Sequence, residues 1–154
     1  MQTIIIGIGN TYLSDYGAGI YALNFLRHFH SDIPGTKYVD GGFLEPDLTT
    51  EIVPADNLIF IDATDLNSQP GTVRTYVGEE MDRFLNGQPK NSAQVKGLTE
   101  LLNEIHQLNA LPQRRALIGI QPFCLDEGDC LSTTVEEVIP DVCCRVLGLI
   151  EEWH

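Results

Sequence analysis

The chain has 154 residues, 43% of them hydrophobic and 20% charged, with a formal net charge of −13. That is enough for one domain with a buried core, expected to span residues 1–154. So acidic a surface repels nucleic acid and anionic membrane, which excludes both as partners, and no apolar run approaches the roughly 20 residues that cross a bilayer. No basic stretch followed by an apolar one and a small-residue cleavage site opens the chain, so the expected compartment is the cytoplasm.

Thr3-Ile4-Ile5-Ile6 reads as a strand buried on both faces, as at the centre of a parallel sheet. Gly7-Ile8-Gly9-Asn10 turns the backbone sharply at its end. Ser14 or Asp15 can then cap a helix whose apolar positions include Ile20, Leu23, Leu26 and Phe29. A strand, a glycine turn and a capped helix bring polar groups to the carboxyl edge of a sheet, where open α/β folds hold their sites. Pro34-Gly35 marks a turn, and Lys37 to Asp40 reads as a short strand ending in Gly41-Gly42.

Leu44 to Val53 reads as a weak helix interrupted by Pro46. Asn57 to Asp62 is a second core strand, an apolar run closed by a carboxylate. Thr72 to Val77 alternates as a strand with one wet face does. Glu79 to Leu85 forms a helical turn, Asn86 to Ser92 a loop, and Leu98, Leu101, Leu102, Ile105 and Leu108 one apolar helix face. Ala116 to Ile120 is a third buried strand. Thr133 and Glu136 have capping-box spacing at the head of a stripe running from Val135 to Trp153, within which Pro140 should kink or open the helix. Strands alternating with helices predict a three-layer α/β/α sandwich, with Asn10, Asp40 and Asp62 on one sheet edge.

The side chains that carry chemistry are few. Asp62 is either a local cap on the amides of Thr64 or Asp65 or a metal ligand at a strand end. Cys124 and Cys130 flank an acidic loop and can pair, share a soft metal or stay free; a reducing compartment favours free thiols. Cys143 and Cys144 fall in an apolar helical pattern. His28, His30, His106 and His154 read as surface histidines, and neither Gly-x-Ser-x-Gly nor His-Glu-x-x-His occurs.

Taken in order, Gly7-x-Gly9-Asn10 with Asp15 and Gly19, Asp40-Gly41-Gly42, Asp62-Ala63, Pro70-Gly71-Thr72, Gly119-Ile120-Gln121-Pro122 and Leu131-Ser132 with Val135 form a series. From end to end it resembles the hydrogenase maturation protease family. The resemblance implies a mixed, mostly parallel five-stranded sheet, with Thr72 to Val77 suited to the antiparallel strand. It implies an endopeptidase that removes the C-terminal tail of a nickel–iron hydrogenase large-subunit precursor after nickel insertion. The cofactor implied is nickel carried by that substrate, or none. Of the family's three nickel-contacting positions, Asp62 keeps its ligand and is the implied catalytic residue, whereas the other two hold Tyr16 and Gln94. Gly9, Asn10, Tyr16, Gly41, Gly42 and Gln94 are the implied substrate-binding set. The two replaced positions also admit a second reading, a relative that binds the large subunit as a chaperone module without cutting it.

Overall fold

The computed structural model describes the chain apart from Phe43, residues 45–47 and 90–92, and the side chains of residues 93–96. Five strands form one sheet: β1 (Thr3–Ile8), β2 (Thr36–Gly42), β3 (Asn57–Ala63), β4 (Val73–Val77) and β5 (Arg114–Ile120), in the order β2-β1-β3-β5-β4. All pairs are parallel except β4 with β5, so the wet-faced segment is the antiparallel strand at the sheet's edge. The helices are α1 (Ala18–Phe29), α2 (Leu48–Ile52), α3 (Glu79–Asn86), α4 (Ala93–Gln107), α5 (Thr133–Glu136) and α6 (Ile139–Trp153), with a 3-10 turn at Ser14–Gly17 before α1.

Strand alternation divides the core in two. Ile5, Ile59, Ile61 and Ile118 face α1 and α6, with Leu23, Leu26, Val142 and Val146 packed on them. Ile4, Ile6, Ile8, Phe60 and Leu117 face the other way, against Leu48 and Ile52 of α2, Met81 and Leu85 of α3, and Leu98 and Ile105 of α4. Three successive isoleucines are therefore buried because β1 is central and covered on both sides. β1 continues toward β2 on one side and borders β3 on the other. That reversal of strand order opens a crevice at the carboxyl edge between β1 and β3.

Several predicted details shift. Neither Ser14 nor Asp15 caps α1: its N-cap is Gly17, without a side-chain bond, because both side chains are drawn to a distant loop. The weak helix is helical only at Leu48–Ile52, and positions 45–47 lie outside the described residues, as do 90–92 of the predicted loop. Ser132, not Thr133, caps α5 by accepting from the Val135 amide. The long stripe is broken into two helices, with Pro140 in the first turn of α6, where its missing N–H costs nothing. His154 is exposed, yet its Nε2 lies 2.8 Å from the hydroxyl of buried Thr3.

Gly19 sets how closely α1 approaches the sheet. A Cβ there would stand 2.2 Å from the Ile61 carbonyl oxygen and 2.4 Å from that of Ile8, both backbone atoms. Gly19→Ala should cost about 3 kcal/mol in denaturant unfolding, since neither strand can retreat. Gly148, inside α6 with nothing within 4 Å of its added Cβ, gives the opposite expectation. Gly148→Ala should gain about 1 kcal/mol from helix propensity alone, read in the same titration.

Candidate functional site

The glycine turn after β1 is built by close backbone contact. Gly9 adopts φ +150°, and a Cβ on it would lie 2.0 Å from the Tyr16 carbonyl oxygen, so only glycine fits. Its N–H donates to the Gly42 carbonyl at 3.0 Å, and the Asn10 N–H donates to the Tyr16 carbonyl at 3.1 Å. The Asn10 carboxamide oxygen accepts from the Tyr12 N–H at 2.9 Å, closing an Asx turn. Gly41 is buried against Ile6 and Ile8, while the Gly42 N–H is taken by Asp40 Oδ1 at 2.8 Å. The turn, Tyr16 and Gly41-Gly42 thus meet at one place on the carboxyl edge.

Asp62 stands on the neighbouring strand, at that same edge. It is only 5% exposed, and its Oδ1 is buried without a hydrogen-bond partner. Asp62 does not cap the Thr64 amide, because that N–H bonds the Ile120 carbonyl, while the Thr64 hydroxyl donates to the Asp62 main-chain oxygen. Burial pushes the Asp62 carboxyl well above the usual carboxylate range, with only the Ala63 amide pulling the other way. Alternation places its side chain on the face shared with Phe60, toward α2 and α4. Register puts Gly119 beside Asp62, and Arg74 of β4 beyond that glycine. The Arg74 guanidinium donates to the Leu66 carbonyl and the Ser68 hydroxyl.

Tyr16 is half-buried and packs against the α1/α6 cluster, the layer opposite the one Asp62 faces. Gln94 lies in the first turn of α4, and its side chain is outside the described residues. Cys124, Cys130, Cys143 and Cys144 are all free thiols. Among the described residues, no three His, Cys, Asp or Glu side chains are grouped to hold a metal ion. A cleft of about 300 Å³ between α3, α4 and the start of β5 contains none of the predicted residues. It lies at the sheet's amino edge, where the Arg115 guanidinium is paired with Asp82, so it belongs to a different surface.

Asp15 and Gln121 have roles that the sequence does not disclose. Asp15 is fully buried, and its carboxylate accepts from the Phe123 and Cys124 N–H groups at 2.9 Å, the Ser132 N–H at 2.7 Å and the Ser132 hydroxyl at 2.8 Å. One side chain therefore pins both ends of the 123–132 loop to the turn before α1. Burial pushes the Asp15 carboxyl up, but these donors outweigh it and hold the group below its ordinary range. Ser14, in a left-handed conformation at φ 50°, adds bonds to Gly128 and Asp126 of the same loop. Gln121 Oε1 accepts from the Leu66 N–H, fastening the loop after β3 to the end of β5. No local pattern marks either residue, because every partner is remote in sequence.

These two carboxylates should respond to pH in opposite senses. Asp15→Asn removes acceptors from buried donors and should cost about 2 kcal/mol at pH near 7. Because the folded state binds the Asp15 proton less tightly than the unfolded chain, that advantage should shrink as pH falls below about 4, through the depressed value. Asp62 binds its proton more tightly when folded, so its burden appears as pH rises above about 4. Asp62→Asn should therefore stabilise the fold by about 1 kcal/mol at pH near 8 and be neutral near pH 4, both read by denaturant titration.

A family model for hydrogenase maturation proteases matches residues 22–149. A hydrogenase expression/formation protein of Rhizobium leguminosarum bv. viciae is 29% identical over 153 residues, spanning 99% of this chain and 75% of that one. The hydrogenase 2 maturation protease of Escherichia coli strain K12 is 26% identical over 153 residues, spanning 99% and 92%. The structure of the hydrogenase maturating endopeptidase HybD from E. coli superposes with a TM-score of 0.91 at 25% identity, covering 99% of this chain and 93% of that one. With the five-stranded mixed sheet, the glycine turn and the buried strand-end aspartate already in place, the match over most of its length makes this chain a member of the hydrogenase maturation protease family.

Proposed function

We propose that this protein is the endopeptidase that trims the C-terminal tail from a nickel–iron hydrogenase large-subunit precursor once nickel is in place. The observation that carries the reading is the Asp62 carboxylate, nearly buried, with one oxygen left without a partner at the switch-point edge. A fold does not keep so costly a group without a gain elsewhere. A divalent ion supplies it, since the ion takes the free oxygen and displaces the proton that burial favours. Metal held by the precursor suits this chain, whose described residues do not group three ligands of their own.

In this reading the nickel belongs to the substrate, and Asp62 contributes one anionic ligand. The ion polarises the scissile carbonyl or the attacking water, and its presence reports that insertion is complete. Asn10 and the half-buried Gly42, whose missing side chain leaves open space, line the approach, and the buried Gly9 and Gly41 fix the turn beneath them. Tyr16 and Gln94 act in substrate binding rather than as metal ligands, because a neutral phenol and an amide hold nickel poorly.

The packing of Tyr16 against the layer opposite Asp62 favours one further reading, a docking module that binds the large subunit without cutting it. Incubating nickel-loaded large-subunit precursor with the protein separates the two. Trimming detected by mass spectrometry is expected, and an intact tail after prolonged incubation removes the protease. Asp62→Ala should abolish trimming while leaving the melting transition cooperative. Undiminished trimming by that variant would remove Asp62 from the chemistry.

A further inference from the structure

The loop that Asp15 pins carries more than its fastening requires. Of the seven large hydrophobic side chains exposed among the described residues, three lie on the two loops joined at this point. They are Tyr12, Phe123 and Leu125, at 78%, 67% and 41% exposure. The loops are not free to fold these groups away. Gly128 donates to Tyr12 and accepts from Ser14, the Asp15 N–H donates to Cys124, and the Tyr21 hydroxyl donates to the Asp129 carbonyl. Aromatic surface held in water on a fixed backbone is the usual character of a contact site.

Beside it opens a depression of about 170 Å³, lined by Tyr21, Cys130, Leu131 and Glu136. Its walls are an aromatic ring, a thiol and an aliphatic side chain, and Glu136 supplies a carboxylate. The charge around it is one-sided. Asp126, Glu127, Asp129, Glu136 and Glu137 follow one another, while no Lys or Arg occurs between Arg115 and Arg145 or before Arg27. The negative field is felt within the depression: burial, then Cys130, Asp129 and Glu136, push the Tyr21 phenol up. The Cys130 thiol is raised by its bond to Asp129 and by the charges of Asp129 and Glu136. An apolar wall ending in a carboxylate fits the stem and head of a lysine or arginine. A second copy of this chain, with its own charge of −13, is repelled instead.

Tyr21 lies on α1, and Leu131 and Glu136 lie at α5, which puts this surface on the α1/α6 side of the carboxyl edge. Asp62 faces the other side. We propose that the Tyr21–Leu131–Glu136 depression and the adjoining Phe123 and Leu125 form a second foothold for the large-subunit precursor, taking a basic and apolar segment away from the scissile bond. The proposal rests on the reading of the precursor as substrate. It gives the enzyme grip on its partner that does not depend on the metal.

Binding and cutting are measured separately so that the two ideas fail separately. Fluorescence anisotropy of labelled, nickel-loaded precursor titrated with the full chain gives Kd, at about 50 mM and about 300 mM salt. Glu136→Gln combined with Asp129→Asn should raise Kd about tenfold at the lower salt and flatten the salt dependence. Phe123→Ser should raise Kd at both salts, and neither variant should alter kcat for trimming. If the wild type binds without cutting and the variants still weaken binding, the foothold stands and the protease reading falls. Equal Kd for wild type and both variants overturns the foothold even where trimming proceeds, and a wild type that neither binds nor trims the precursor overturns the foothold and the protease together.

Discussion

The largest set of long-range side-chain bonds at the carboxyl edge converges on one buried carboxylate. Asp15 accepts four hydrogen bonds from three residues that lie more than a hundred positions away, and no cation shares the work in those contacts. Bonds from neutral N–H and O–H groups to a charged acceptor are stronger than neutral ones, and here they are sheltered from water. They compensate the burial of the charge and hold it ionised. Through them the turn after β1, just before helix α1, is tied to the loop after β5 and to the start of α5. The positions of Tyr16, of Gly9 and of the exposed aromatics on both loops follow from that connection.

Asp62 is the counterpart that the fold leaves uncompensated. The two aspartates sit on adjacent parts of one edge, and both are nearly inaccessible, yet Asp15 accepts four bonds while one oxygen of Asp62 has no partner. Desolvation acts on both; the hydrogen bonds decide the sign. A group stabilised as a proton carrier by burial becomes an anion when a stronger positive charge displaces the proton, which is what a metal ion does. The energetic cost of Asp62 in the folded chain and its proposed task are therefore the same property. Among the described residues the Thr36 hydroxyl is also buried without a partner, but a carboxylate left so is far the costlier group, and such a cost is a usual mark of a functional position.

Much of this was legible in the sequence. The isoleucine run, the Asn57–Asp62 segment and the alternation at Thr72–Val77 give the central strands and the antiparallel edge, because burial on two faces, or on one, leaves a direct imprint on periodicity. Asp62 was legible as a strand-end carboxylate, although its neighbours alone could not separate a local cap from an orphaned oxygen. The near neighbours of Asp15 suggest a helix cap, whereas its real partners are set by topology. Pro140 marked a break whose form, two helices rather than one kinked helix, depends on how Val135 and Ile139 both reach the core. Thr133 lost the cap to Ser132 because Ser132 is already drawn to Asp15.

The central contact proposed is between an oxygen of Asp62 and a metal that arrives with the substrate. Nickel K-edge X-ray absorption on the loaded precursor, alone and in complex with this protein or its Asp62→Asn variant, observes that contact. An oxygen ligand gained on complex formation with the wild type and missing with the variant is the predicted result. A nickel environment identical in all three samples, with the complexes verified as formed, would contradict it.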